Sequence, residues 1–317
     1  MIGTMSLTIR PLEESDLEAA DKVRRLAFGT HFGLPDPLSF SGTSRLVEIR
    51  RRAWPDGSIL AEQDGAIAGI AISSRWGSLG VFGPLAVHPQ YWRSGIGRQL
   101  LDATMPIYES WHCRAAALFT FPASLTHVGL YQRYGFWPRS LTAVMSRPVT
   151  APSPVPQARS LSAMSAAEQR DVIAQCAALT DRLYAGLDLR DEIAMVIAHP
   201  TADAIVLTEN SAITGFVICH FGAGSEADTG IAYAKFAAAR PGPNAARDFQ
   251  RLLDAANDFA QRNGAAKLNA GINMGAMEAY RLMIATGFRP TLQGVAMHRP
   301  WIAIYDRPDV FALEDWR

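Results

Sequence analysis

The sequence predicts an α/β chain built as two similar halves, and three observations predict it. Segments with strand-like and helix-like periodicity alternate along the chain. Its 317 residues are about twice the roughly 150 of a common domain. The second half also repeats landmarks of the first. Ile59–Gly69 resembles Ile205–Gly215 at an offset of 146, and Leu100-Leu-Asp-Ala103 matches Leu252-Leu-Asp-Ala255 at 152. Gly135-Phe136 and Arg147-Pro148 match Gly287-Phe288 and Arg299-Pro300, again at 152. Anchors in one order at one offset are improbable by chance. Three prolines within Thr150–Gln157 form a stiff, extended linker, so the expected domains are 1–149 and 158–317, with 150–157 between them.

Each element has a local reason. Leu7–Arg10 alternates like a short strand and Pro11 ends it. Ser15 or Asp16 caps a helix whose apolar residues Leu17, Ala20, Val23, Leu26 and Ala27 recur at helical spacing. Gly29–Gly42 reads as a loop broken by Gly33, Pro35 and Pro37, and Arg45–Arg52 as a short helix. Two apolar runs, Ile59–Gln63 and Ala66–Ser73, meet at Asp64-Gly65 and predict a hairpin. Gly80–Val87 is a strand. Leu100, Leu101, Met105 and Ile107 predict a helix that Pro106 bends or ends. Ala115–Phe121, Leu125–Tyr134 and Leu141–Met145 follow as strand, helix and strand.

Composition excludes several functions. The 30 basic and 30 acidic side chains cancel, so the surplus that drives binding to nucleic acid or an anionic membrane is missing. Cys113, Cys176 and Cys219 share no metal-ligand spacing and are odd in number, so neither a metal site nor a disulfide framework is expected. No apolar run approaches the roughly 18 residues of a membrane span. Met1–Ser6 lacks the features of a secretory leader, and Met5 could be the original start. The expected compartment is the cytoplasm.

The chemistry concentrates in Leu85–Leu101. A strand enters, Gly95-Ile-Gly97 turns the chain, and an amphipathic helix leaves. The amides of Arg93 to Arg98 have no intrahelical acceptor, and the helix dipole favours an anion beside them. Arg93 and Arg98 add positive charge. No Gly-Lys-Ser/Thr follows, so a Walker loop is excluded. A third glycine is also missing, which disfavours a dinucleotide fold.

The Leu-Ala-Val-His-Pro strand end, the R-x-G-I-G-R loop and then Leu130-Tyr-Gln-Arg-Tyr-Gly-Phe136 together resemble the GNAT superfamily of acyl-CoA-dependent N-acetyltransferases, over residues 5 to about 148. The resemblance implies two tandem folds, each a mixed, mostly antiparallel twisted sheet flanked by helices. It implies acetyl-CoA as acyl donor, with its pyrophosphate on Arg93, Ser94, Gly95, Ile96, Gly97 and Arg98. The amides of Leu85, Ala86 and Val87 would meet the pantetheine and the acetyl carbonyl, and Tyr131 would protonate the departing thiolate. Ser124 stands where the family has an Asn, and Trp92 where it has Gln or Arg. Tyr134 reads as packing.

The base is less defined, because Gly80–Val87 carries no carboxylate. Glu62, His31, His88 and His127 are candidates, with Glu62 and His31 preferred. The aromatic loop 29–40 would cover the acceptor, a small-molecule or peptide amine, with Asp36 facing a cationic nitrogen. A monomer or a homodimer is expected. At the 152 offset Gly95 becomes Arg247, Gly97 becomes Phe249 and Tyr131 becomes Met283. The second half is therefore expected to have lost the cofactor and to shape or close the site of the first. Tyr280, seven residues after Asn273, is an alternative tyrosine for it. A non-catalytic acyl-CoA sensor is the rival function.

Overall fold

A computed structural model describes residues 7–151 and 153–316. The start-site and leader expectations for Met1–Ser6, and Pro152 of the linker, lie outside the described residues. The first half runs β1 (Leu7–Pro11), α1 (Leu17–His31), α2 (Leu46–Ala53), β2 (Ser58–Gln63), β3 (Ala66–Trp76), β4 (Leu79–Val87), α3 (Ile96–Ser110), β5 (Ala115–Thr120), α4 (Leu125–Gln132) and β6 (Trp137–Pro148). The second runs β7 (Ala158–Ser160), α5 (Ala166–Asp181), α6 (Arg190–Ala198), β8 (Ala202–Glu209), β9 (Ala212–Phe221), β10 (Ile231–Ala239), α7 (Ala245–Arg262), β11 (Lys267–Asn273), α8 (Met277–Ala285), β12 (Arg289–Arg299) and β13 (Ala312–Glu314).

The predicted class is correct: mixed, mostly antiparallel sheet flanked by helices. The two halves, however, share one sheet, ordered β1-β2-β3-β4-β5-β12-β6-β11-β10-β9-β8-β7. Each half sends its last long strand across to the other. β12 pairs with β5 (Val295 opposite Thr120), while β6 pairs with β11 (Thr142 opposite Asn273). The exchange is reciprocal, so neither half closes its own sheet. It also explains why β6 runs over Trp137–Pro148, well beyond Leu141–Met145: it is hydrogen-bonded along both edges.

Alternation assigns the two faces. On β2 and β3, Ile59, Ala61 and Ala71 pack under α3 with Leu100, Leu101 and Phe136. Leu60, Ile70 and Ile72 pack under α1 and α2 with Ala20 and Val47. A further core joins the halves, setting Trp76, Leu79 and Val81 of the first against Leu183, Leu187, Ile193 and Phe236 of the second.

Two local expectations need correction. α1 continues past Gly29 to His31. A Cβ on Gly29 would lie 2.2 Å from the Pro37 carbonyl oxygen, so the glycine lets the loop fold back onto its own helix. α3 also runs through Pro106, because burial of Leu100, Leu101, Met105 and Tyr108 on the sheet outweighs one missing backbone hydrogen bond.

Candidate active site

The wedge between β4 and β5 is the organising feature. The two strands pair in parallel from Leu79 opposite Ala115 to Phe82 opposite Leu118. Beyond Phe82, β4 continues along β3 alone, with Val87 opposite Gly69. The His88 amide donates to the Ala68 carbonyl at 2.8 Å. In an antiparallel ladder, residues alternate between facing the partner and facing away. Ala86 therefore turns its amide to β3, and Leu85 and Val87 turn theirs into the wedge. The expectation of three usable amides is corrected to two.

That wedge opens into a cavity of about 1170 Å³ lined by β4, the glycine loop, α1, β5, α4 and residues of the second half. At one end lies the N-terminus of α3. Gly95 is its N-cap, at φ +88°, and a Cβ there would meet nothing within 4 Å. The amides of Gly95, Ile96 and Gly97 are without acceptors, whereas Ser94 and Arg98 donate to the carbonyls of Tyr91 and Gly95 at 3.3 and 3.1 Å. Ser94 also turns its hydroxyl onto Tyr91, 2.6 Å away, and does not line the cavity. Its expected ligand role is corrected on both counts. Arg93 and Arg98 line this end, with Arg98 reaching Asp102 only at 3.8 Å. Trp92 has a different task from a phosphate ligand: its indole donates to the Val87 carbonyl at 2.7 Å and tethers the loop to β4. Free helix-terminal amides, a left-handed glycine and two cations suit a diphosphate.

Tyr131 reaches the middle of the cavity from α4. Its ring packs edge-on against Phe82 and Phe136, and it is 7% exposed. Burial pushes its phenol up, so it stays protonated. Tyr134 instead donates to the Arg98 carbonyl and to Asp102 at 3.0 and 2.7 Å, which fixes α4 to α3.

Among the base candidates, Glu62 is corrected. It lies outside the cavity, paired with Arg10 at 2.8 Å on the β1 side of the sheet. His31, from the end of α1, and His127, from α4, both line the cavity, with ring centroids 5.9 Å apart. The Ser124 hydroxyl lies 2.9 Å from His127 Nδ1, so Ser124 serves this histidine. Burial and then neighbouring His31 lower the His127 pKa, which keeps its ring neutral near pH 7. His88 accepts from the Gln90 amide at 3.2 Å in a loop turn and does not line the cavity. Asp36 caps its own turn through the Leu38 amide.

The second half was expected to shape this site, but sequence reasoning did not identify the residues that do so: Glu226, Asp228, Tyr233, Asn269, Leu292 and Trp316. Glu226 is buried, accepting from Arg50 at 2.9 Å and from Lys235 at 2.6 Å. Burial pushes its carboxyl up, but Arg50 and Lys235 outweigh that and hold it well below the usual range. Lys235 also reaches Glu192 at 2.7 Å, and Glu192 accepts from the Trp76 indole at 3.1 Å. Glu192, His220 and Glu226 cluster closely enough to suggest a metal site. The Lys235 ammonium already bridges both carboxylates, so a divalent ion there would be uncompensated. One local signal of this network existed: Lys235 interrupts the apolar run Ile231–Ala239.

The fold is that of two GNAT-like halves sharing one sheet, with an open wedge in the first. Residues 24–136 match the acetyltransferase (GNAT) family. No curated protein matches the chain significantly. Among solved structures, it is similar to a Pyrococcus horikoshii protein assigned to the acetyltransferases (17% identity, 98% of this chain and 95% of that one, TM-score 0.70). A GCN5-related N-acetyltransferase from Sphaerobacter thermophilus follows, at 16% identity over 92% and 95%, TM-score 0.60. A tandem GNAT protein from the clavulanic acid biosynthesis pathway is 12% identical over 92% and 98%, TM-score 0.59. Identities this low establish the shared fold.

Proposed function

We propose that the chain is an acetyl-CoA-dependent N-acetyltransferase whose catalytic unit is the first half, residues 1–149, and whose second half, residues 158–317, is a GNAT-like partner that binds no cofactor. One comparison carries this reading. β13 pairs with β10 at Phe236–Ala238, which at the 152 offset are the counterparts of Pro84–Ala86 on β4. The Ala239 amide, counterpart of Val87, donates to the Phe311 carbonyl at 2.9 Å. The chain's own C-terminal strand thus fills the second wedge, while the equivalent amides of the first face open cavity. Phe249, where the second loop would need a glycine, is buried in the core. Met283 replaces the acid, and Tyr280 packs against the same core.

In the first half, the free amides at the start of α3, with Arg93 and Arg98, would hold the diphosphate. The amides of Leu85 and Val87 would hold the pantetheine and the oxygen of the reacting carbonyl. The acceptor nitrogen bonds to the acyl carbon as the carbon–sulfur bond breaks. Its surplus proton passes to the His31–His127 pair, and Tyr131 gives its proton to the leaving sulfur.

The test has two readouts on the full chain. Acetyl-CoA should raise the melting temperature, because a ligand that binds only the folded state at 100 times its Kd adds about 2.7 kcal/mol. Thiol release should then appear with a suitable amine. A shift without release for any amine would favour an acyl-CoA sensor, and no shift at millimolar acetyl-CoA would overturn both readings.

A further inference from the structure

The cavity end away from α3 carries information about the acceptor, and we propose that this acceptor is an amine borne on an aromatic or similarly flat apolar group, seated on the rings of Phe32, Phe40 and Phe121. The inference rests on the acetyl-transfer reading above.

Shape is the first observation. Phe28, Phe40 and Phe32 form a near-parallel stack, with centroids 5.4 and 5.7 Å apart and interplanar angles of 16° and 13°. Phe121, at the end of β5, meets Phe32 edge-on at 5.4 Å and 86°. All four rings line the cavity. Phe32 is nevertheless 40% exposed, so a large apolar ring that lines a concave site stays partly uncovered. Such a wall of faces and edges offers stacked and edge-to-face places to another flat ring.

Charge is the second observation, and it disfavours the usual polar amines. Arg24, Arg50 and Glu226 at this end are held in ion pairs, and Asp228 is held by neutral donors on one oxygen. Arg50 and Glu226 hold each other at 2.9 Å, with side chains 3% and 1% exposed. Arg24 is paired with Asp21 at 2.7 Å. Asp228 accepts from the amide and hydroxyl of Thr43, both at 2.9 Å, and from the Thr229 amide at 2.7 Å. A polycation would find one carboxylate, Asp228, with one oxygen already engaged, and a substrate carboxylate or phosphate would find the Arg24 and Arg50 guanidiniums already paired. Charges taken from water without such partners are strongly disfavoured. Three further arginines, Arg93 and Arg98 at the α3 end and Arg133 after α4, also line the cavity.

Proton handling is the third. The Nδ1 of His127 is engaged by Ser124 at 2.9 Å, which leaves Nε2 and the ring of His31 for the nitrogen of an amine whose flat group lies on the neighbouring phenylalanines. His31 itself stacks on Phe121, with centroids 5.3 Å apart.

The experiment is thiol release from acetyl-CoA by the full chain with 2-phenylethylamine, 4-methylaniline, spermidine, kanamycin and glutamate. The expected result is a kcat/KM for an aryl amine at least a hundredfold above that for spermidine, kanamycin or glutamate. Phe32→Ala should raise the KM for the aryl amine tenfold or more and keep the acetyl-CoA-induced rise in melting temperature, with Phe32→Tyr intermediate. Preference for a polar amine, or a KM unmoved by Phe32→Ala, would overturn the proposal while leaving acetyl transfer standing. A melting shift with no release from any amine would instead remove the transfer reading, and this inference with it.

Discussion

Arg50 of α2 donates to Glu226, 176 residues further along the chain, at 2.9 Å, and its other terminal nitrogen donates to the Gly83 carbonyl, also at 2.9 Å. One guanidinium thereby ties the second half to β4 just where that strand parts from β5. Removing one partner of a buried pair leaves the other charge uncompensated, so Glu226→Gln should cost about 3–5 kcal/mol in urea unfolding. The Glu226 carboxyl is held below its ordinary pKa in the folded chain. Its contribution is therefore complete above the unfolded value of about 4.3 and is lost as pH falls further. The native chain should lose stability more steeply than Glu226→Gln below that pH.

Tyr131 offers a phenol that burial keeps protonated. Tyr131→Phe removes only the hydroxyl, so the ring contacts with Phe82 and Phe136 persist. Turnover should fall by about 10²–10⁴-fold, the usual range for a lost general acid, with acetyl-CoA affinity by calorimetry nearly unchanged. An unchanged kcat would reassign the acid.

The lowered pKa of His127 places the acidic limb of kcat/KM below the ordinary histidine value of about 6.5. Protonation there would block uptake of the amine proton, so activity should hold at pH 7 and decline as pH drops through that limb. His127→Gln should lose the limb together with most of the rate, which a pH–rate profile reads directly.

Gly95 and Gly97 should matter to cofactor affinity, and their counterparts should not. A side chain at Gly95 meets no protein atom within 4 Å but must adopt φ +88°, a strain of about 1–2 kcal/mol. Gly95→Val should therefore fold and lose the acetyl-CoA-induced melting shift. Arg247→Gly should leave that shift intact, because β13 occupies the second wedge. Phe249→Gly, at a fully buried ring, should cost at least about 3–5 kcal/mol and create no second site.

Glu314 of β13 is buried, beside the Tyr305 hydroxyl and the Asn273 side chain and with no cationic partner among the described residues. Burial, and then nearby Asp306, push its pKa up to about 8. A folded-state value above the unfolded one favours folding at low pH, and that advantage is lost as pH rises through about 8. Glu314→Gln should remove this dependence, leaving the variant more stable than the native chain near pH 9 in thermal melts.

Much of the first half was legible because its signals are local. The Asp64-Gly65 turn, the helix spacing from Leu17 to Ala27 and the glycine loop each state their structure within a dozen residues. The placement of Tyr131 and His31 at one cavity followed from motif order. Glu62 misled because a carboxylate on a strand carries no mark of which neighbour it meets, and here that neighbour is Arg10. Ser94 misled because a turn residue can bend back onto its own turn.

By itself the sequence determined the duplication, the α/β class, the glycine turn at Gly95–Gly97 before α3 and the absence of those glycines at Arg247 and Phe249. Periodicity, turn chemistry and side-chain volume are properties of neighbouring residues, and they are written in the order of the chain. Only the tertiary structure decided that β6 and β12 change places, that β13 enters the second wedge, and that Glu226, Tyr233 and Trp316 wall the first cavity. These strand partners, and the buried Arg50–Glu226 pair, join residues far apart in the chain. They are chosen by which edges and charges the whole fold leaves unsatisfied, a condition that no local stretch records.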